Sequence, residues 1–158
     1  MLKIRLIQTG KNQEAFIEQA VAFYQQKLKH YCQFETLTLP VLKNAGKLTL
    51  EEVCKKEGEQ LLKQLSPKSW LVLLDERGKS FDSPEFAAQI EKWTVAGRSQ
   101  IDFVIGGAFG FSDAVYARAD FQLTLSRMTF SHQIIRILFL EQLYRAFTIL
   151  RNEPYHHA

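Results

Sequence analysis

The sequence predicts an α/β fold, a mostly parallel sheet of five to six strands with helices on both faces, and three observations predict it. Short apolar runs alternate with longer segments of mixed polarity in the order β-α-β-α-β-α-β-α-β-α. Two of the runs, Trp70 to Leu74 and Ile101 to Ile105, are almost continuously apolar, as strands buried on both faces of a parallel sheet are. The 158 residues contain no internal repeat, no low-complexity segment and no linker, so one domain over residues 1–158 is expected.

Each element has its own signal. Leu2 to Gln8 is rich in Leu and Ile and reads as the first strand, broken by Thr9-Gly10. Asn12 is placed to cap a helix that runs to about Lys29, with Phe16, Ala20, Phe23 and Tyr24 near one face. Gln33 to Leu39 is a second strand, stopped at Pro40. Lys43 to Lys47, polar and basic with a glycine at 46, predicts a mobile loop. Thr49 and Glu52 form a capping box for a helix that reaches about Leu65 and ends at Ser66-Pro67. The strand Trp70 to Leu74 then breaks into a loop, Asp75 to Lys79. Ser83 is expected to cap the next helix, with Pro84 at its first position, as far as Trp93, and Gly97 ends it. Ile101 to Ile105 is the fourth strand, Ser112 caps a short helix through Arg118, and Phe121 to Leu125 is the fifth strand. The last helix, Gln133 to Leu150, is apolar on nearly every side, which asks for more cover than a small domain gives one surface helix. That pattern predicts a homodimer built on this helix.

Composition limits the functional classes. With 46% apolar and 23% charged residues the chain is an ordinary globular one, and no apolar run approaches the ~20 residues of a membrane span. With no signal-peptide pattern at its start, the protein is expected in the cytoplasm, away from membranes. Cys32 and Cys54 lack C-x-x-C spacing and a nearby ligand set, so both are read as free thiols and no metal site is expected. The net charge of +3 hints at an anionic partner. Beyond Lys92 every basic residue other than histidine is arginine: Arg98, Arg118, Arg127, Arg136, Arg145 and Arg151. Arginine suits phosphate and base recognition, and it suits buried pairs at a subunit interface equally well.

Three strand ends open into loops of unusual character: Leu74 into Asp75, Ile105 into Gly106, and Leu125 into Ser126. The carboxyl ends of parallel strands lie along one edge, so these loops are expected to converge on a ligand crevice. Gly106 and Gly107 permit close backbone approach, although two adjacent glycines alone fit a structural turn as well. The pattern is not G-x-G-x-x-G and follows the fourth strand, which argues against a dinucleotide-binding oxidoreductase.

Several separated groups of residues together resemble one family. They are Leu73-Leu74-Asp75-Glu76-Arg77-Gly78-Lys79, Phe103-Val104-Ile105-Gly106-Gly107, and Leu125-Ser126-Arg127-Met128-Thr129-Phe130-Ser131-His132-Gln133. Glu141-Gln142-Leu143-Tyr144-Arg145-Ala146 and the closing Pro154-Tyr155-His156 complete the set. The chain resembles, over essentially its whole length, the bacterial methyltransferases of the SPOUT class that methylate N3 of a pseudouridine in large-subunit ribosomal RNA. The resemblance implies a C-terminal trefoil knot, an exception to the rule against threaded chains. It also implies a homodimer and S-adenosyl-L-methionine as cofactor, with the rRNA methylated in assembled ribosomes. Cofactor contacts fall by motif on Leu74, Gly106, Leu125, Ser126, Arg127, Met128, Thr129 and Phe130. The chain departs from the family's pattern in having Ser131 where proline is common, and His157-Ala158 where a basic residue usually follows the last histidine.

Methyl transfer to an imide nitrogen needs close alignment of the reacting atoms and help in removing the proton. The candidates are Arg145, His132, Tyr155 and His156. Arg145 also has the spacing of an i,i+4 pair with Glu141. His132 opens the last helix, where a positive charge is disfavoured, so a neutral imidazole is expected, and a purely anchoring role suits it equally. Tyr155 and His156 lie in a tail expected to order when RNA binds. The rival reading is a non-catalytic RNA-binding assembly factor of the same fold.

Overall fold

A computed structural model describes residues 1–157. The elements are β1 (Lys3–Thr9), α1 (Ala15–Leu28), β2 (Gln33–Leu39), α2 (Leu50–Lys63), β3 (Trp70–Ser80), α3 (Ser83–Val95), β4 (Gln100–Ile105), α4 (Asp113–Arg118), β5 (Phe121–Thr124) and α5 (His132–Leu150). The five strands form one sheet in the order β2-β1-β4-β3-β5, and every pairing is parallel. The predicted α/β class therefore holds, at the lower of the two strand counts.

Strand alternation divides the core into two layers. Ile4 and Leu6 of β1, Val72 of β3, and Ile101, Phe103 and Ile105 of β4 face α1, α3 and α5, where they meet Phe86, Ile90, Phe139, Leu140 and Leu143. Ile7, Leu71, Leu73 and Val104 point the other way, onto Leu61 of α2 and Val115 of α4. Cover on both faces is why β3 and β4 read as apolar runs in the sequence. On the second face Arg5 donates two hydrogen bonds of 2.8 Å to the fully buried carboxylate of Asp102. This bidentate pair locks β1 to β4.

The expected loop Asp75 to Lys79 is instead the second half of β3. β5 pairs with Leu74 and again with Lys79 and Ser80, with a register shift between them. Thus β3 bends around β5 where an uninterrupted ladder would have ended. The bend depends on Gly78. A Cβ there would lie 2.4 Å from the backbone nitrogen of Leu123 and 2.6 Å from the carbonyl carbon of Gln122.

Two helix starts also differ from expectation. Asn12 does not cap α1, whose N-cap position is Glu14 without a side-chain bond; Asn12 accepts instead from the Arg136 guanidinium. Asp82, not Ser83, caps α3 and forms a reciprocal capping box with Glu85. Thr49, Ser112 and Ser131 all cap their helices, accepting from Glu52, Val115 and Ile134 amides. The buried face of α1 is Ile17, Val21 and Leu28, while Phe16 and Phe23 are exposed. Lys43 to Lys47 is not without structure, since it holds a single 3₁₀ turn at Ala45–Lys47.

Most of the late arginines are committed inside the subunit. Arg118 binds Asp120 and two main-chain carbonyls, Arg136 binds Asn12 and Thr9, and Arg145 binds Glu141. Arg98 and Arg151 lie over the rings of Trp70 and Tyr31. Arg127 is exposed. The partners of Arg118, Arg136 and Arg145 are within the subunit, a use that neither phosphate recognition nor pairing across a subunit interface describes.

Candidate active site

The carboxyl ends of β3, β4 and β5 lie side by side, and the segments that follow them enclose a cavity of 610 Å³. Leu74, Asp75, Glu76 and Arg77 of β3 form one wall. The turn Gly106 to Phe111 forms the second, and Thr124 to Ser126 with Met128 to His132 forms the third. The turn is closed by Gly110, which donates to the Gly107 carbonyl (3.2 Å) at φ +81°, a conformation glycine alone adopts freely. Cys54 of α2 braces it from below, its thiol 3.3 Å from the Phe109 carbonyl. The third wall is shaped by Ser126, whose Oγ accepts from the Met128 amide (2.9 Å), while its carbonyl accepts from Thr124 (2.8 Å). Phe109, Met128 and Phe130 stay exposed at the rim, an apolar mouth suited to a flat ring.

Polar groups enter the cavity from residues the sequence reading did not name as cofactor-binding or catalytic. Tyr116 of α4 donates to Asp75, and Arg77 donates to Tyr116 and, through its amide (2.8 Å), to Asp75. Burial pushes the Asp75 carboxyl up, but the bonds from Tyr116 and Arg77 outweigh it and hold the group below its ordinary range. The sequence signal for Asp75 and Arg77 was present in their motif. Tyr116 had none, because one tyrosine on a short helix carries no pattern.

Of the residues expected to hold a cofactor, Leu74, Gly106, Leu125, Ser126, Met128, Thr129 and Phe130 line the cavity, and Arg127 does not. His132 lines it too. Burial, then the charge of Arg136, lowers the His132 pKa, so its imidazole is neutral at pH 7.

The other three residues form a second cluster. Arg145 donates to both oxygens of Glu141 (2.7 and 3.4 Å), and its other nitrogen lies 3.2 Å from His156 Nδ1. Tyr155 donates to Glu141 (3.0 Å), its ring lies under the Arg145 guanidinium, and it meets Tyr144 edge-on at 4.8 Å. Burial, helped by the bond to Glu141, pushes the Tyr155 hydroxyl to about 12, so it is a donor at pH 7. The tail is thus already docked on α5, contrary to the expectation that it waits for RNA to order it. Arg145 follows His132 by thirteen residues of continuous helix, ~20 Å at 1.5 Å per residue. One subunit therefore keeps its cavity and its tail cluster apart.

Along its length the chain matches known proteins. A family model described as "Predicted SPOUT methyltransferase" matches residues 2–156. The chain belongs to the SPOUT methyltransferase family. Among curated relatives, three proteins named ribosomal RNA large subunit methyltransferase H are similar from end to end. That of Parabacteroides distasonis is 47% identical over 156 residues, covering 99% of each chain. The protein of Trichlorobacter lovleyi is 49% identical over 156 residues, covering 99% of this chain and all of its own. That of Clostridium acetobutylicum is 46% identical, covering 98% of this chain and 99% of its own. For a SPOUT methyltransferase the cavity at the strand ends, with loops contributed by β3, β4 and β5, is the place where such a fold offers a ligand its backbone groups.

Proposed function

We propose that the protein uses S-adenosyl-L-methionine to methylate N3 of a pseudouridine in large-subunit ribosomal RNA, and does so as a homodimer on assembled ribosomes. The observation that carries this reading is the cavity itself, built from three strand-end loops, in a chain similar over its full length to enzymes named for large-subunit rRNA methylation. Its residues fit the cofactor. Leu74, Leu125 and Phe130 offer apolar faces to an adenine, and the Gly106 to Gly110 turn presents main chain unobstructed by side chains. When bound, the cofactor supplies an activated methyl group.

The remaining chemistry belongs to side chains. A neutral His132 at the cavity can accept the imide proton. The Arg145 guanidinium, kept charged chiefly by its bond to Glu141, can meet a carbonyl oxygen that gains negative charge as the proton leaves. Tyr155 presents a ring for an unpaired base. These two sets lie ~20 Å apart along one α5, so a complete site requires a second copy. Ile134, Ile137 and Leu138 of α5 are only half-buried in the single subunit and supply an apolar stripe for a two-fold contact.

The test is transfer of labelled methyl from the cofactor to ribosomes, isolated large subunits and naked rRNA, followed by mapping of the product. One methyl on N3 of a pseudouridine in the large-subunit RNA is expected. Binding of RNA with neither cofactor affinity nor product would refute the reading and favour an assembly factor. Light scattering should give a dimer at micromolar concentration, and a stable monomer there overturns the shared site.

A further inference from the structure

One carboxylate beside the cavity has no partner. Glu57 of α2 is half-buried under the glycine turn, and among the described residues no cation lies within ion-pair distance of it and no donor bonds to it. Its carboxylate lies against the turn: a Cβ built on Gly107 would be 2.7 Å from Glu57 Oε2 and 3.1 Å from Oε1. Glu57 lines a small cavity of 20 Å³ whose walls include Gly106, Gly107, Gly110 and Phe111, and the same four residues line the large one. The turn is therefore a shared partition between the two spaces, and at 107 it has no side chain to cover the carboxylate. Any residue but glycine there would displace Glu57.

A half-buried carboxylate without a partner is costly, and the ordinary remedy is a cation or hydrogen-bond donor. Burial already pushes the Glu57 carboxyl above its usual range. The other carboxylates at the cavity are placed differently. Asp75 is engaged by Tyr116 and Arg77, and Glu76 is exposed beside Thr129. Glu57 is the group left to receive a positive charge. Resting on the reading of the cavity as a cofactor site, we propose that Glu57 binds the ammonium group at the amino-acid end of S-adenosyl-L-methionine, across the side-chain-free wall at Gly107. Glu57 is thereby a cofactor-binding residue supplied by α2, outside the three strand-end loops.

Calorimetric titration of wild-type protein and Glu57→Gln with three ligands tests this. S-adenosyl-L-methionine has both an ammonium and a sulfonium, S-adenosylhomocysteine has the ammonium alone, and methylthioadenosine has neither. The substitution keeps the shape and removes the charge. It should weaken the first two equally, roughly 10- to 100-fold for a charge-assisted bond, and leave methylthioadenosine and the melting temperature unchanged. Equal weakening of all three would mean that Glu57 acts only by supporting the turn. Weakening of the sulfonium ligand alone would place the carboxylate at the wrong cation, and no change would remove it from the site. Each of these results overturns the proposal. Failure of wild-type protein to bind any of the three refutes the cofactor reading instead.

Discussion

Gly78→Ala tests the bend in β3 by adding one methyl group at a backbone crossing. The new carbon would sit 2.4 Å from Leu123 N, 2.6 Å from Gln122 C and 2.6 Å from Leu123 C. Non-bonded heavy atoms rest ~3.5 Å apart, so β3 and β5 must separate by about 1 Å. All three obstructing atoms are main chain, and no side chain can rotate to relieve the contact. Overpacking of this kind costs ~1–3 kcal/mol, and the absence of a soft neighbour puts this case at about 2–3 kcal/mol. For a domain of this size that lowers Tm by about 4–12 °C. Because β5 leads into the cavity wall from Thr124 onward, cofactor affinity should fall with stability. Calorimetric melts of wild type, Gly78→Ala and a control, Gly46→Ala, read the effect. Nothing lies within 4 Å of a Cβ at Gly46, so the control should be neutral or more stable by ~0.4–1 kcal/mol. If Gly78→Ala melts within about 1 °C of wild type, β3 and β5 do not cross as closely as described and the account of the bend fails.

Gly106→Val should abolish cofactor binding while the protein remains folded, because the atoms nearest its Cβ belong to the Phe111 ring (2.9 Å), a side chain that can shift where a main chain cannot; calorimetry and a melt check both halves. Removal of Tyr155 to Ala158 should leave cofactor binding and the dimer nearly unchanged and abolish methyl transfer to ribosomes, and a normal rate would mean that the tail is a mere end. The His132 imidazole, lowered by burial and by Arg136, should titrate below its ordinary value of ~6.5 when followed by NMR. Since the unfolded chain takes up that proton first, His132 should contribute a loss of stability as pH falls from about 6.5 through the folded-state pKa. His132→Gln should remove this part of the acid slope in denaturant titrations.

The sheet was legible because β3 and β4 are apolar on both faces, and Thr49 and Ser112 announced their helices through caps. Asp75 to Lys79 was misread because charged residues there suggest a loop, whereas the ladder with β5 is a long-range matter that Gly78 alone betrays. Asn12 looked like a cap, yet its side chain is taken by Arg136, 124 residues away. At the site, the glycine and serine turns were readable because local backbone chemistry makes them. Tyr116 was not, since it reaches the cavity from a helix distant in sequence, and neither was Glu57, which lies in the smaller cavity behind the glycine turn. Spacing along the last helix already set His132 and Arg145 thirteen residues, ~20 Å, apart, and so in separate clusters within one subunit.

The buried Arg136 has a consequence for the order in which the molecule opens. It is 1% exposed, holds Asn12 Oδ1 (3.0 Å) and the Thr9 carbonyl (2.9 Å), and has no acidic partner among the described residues. Beside it Gln133 accepts from the Gln13 amide (3.1 Å) and donates to the Lys11 carbonyl (3.1 Å). The connection between β1 and α1 is thus fastened by a helix that is synthesised more than a hundred residues after it. During translation β1, β2 and β4 emerge and can pair while Thr9 to Gln13 still waits for its clasp. In the finished protein the same link makes these residues part of the C-terminal cooperative unit. In native-state hydrogen exchange the Gln13 amide, close to the chain's beginning, should open and close in step with the amides of the C-terminal helix.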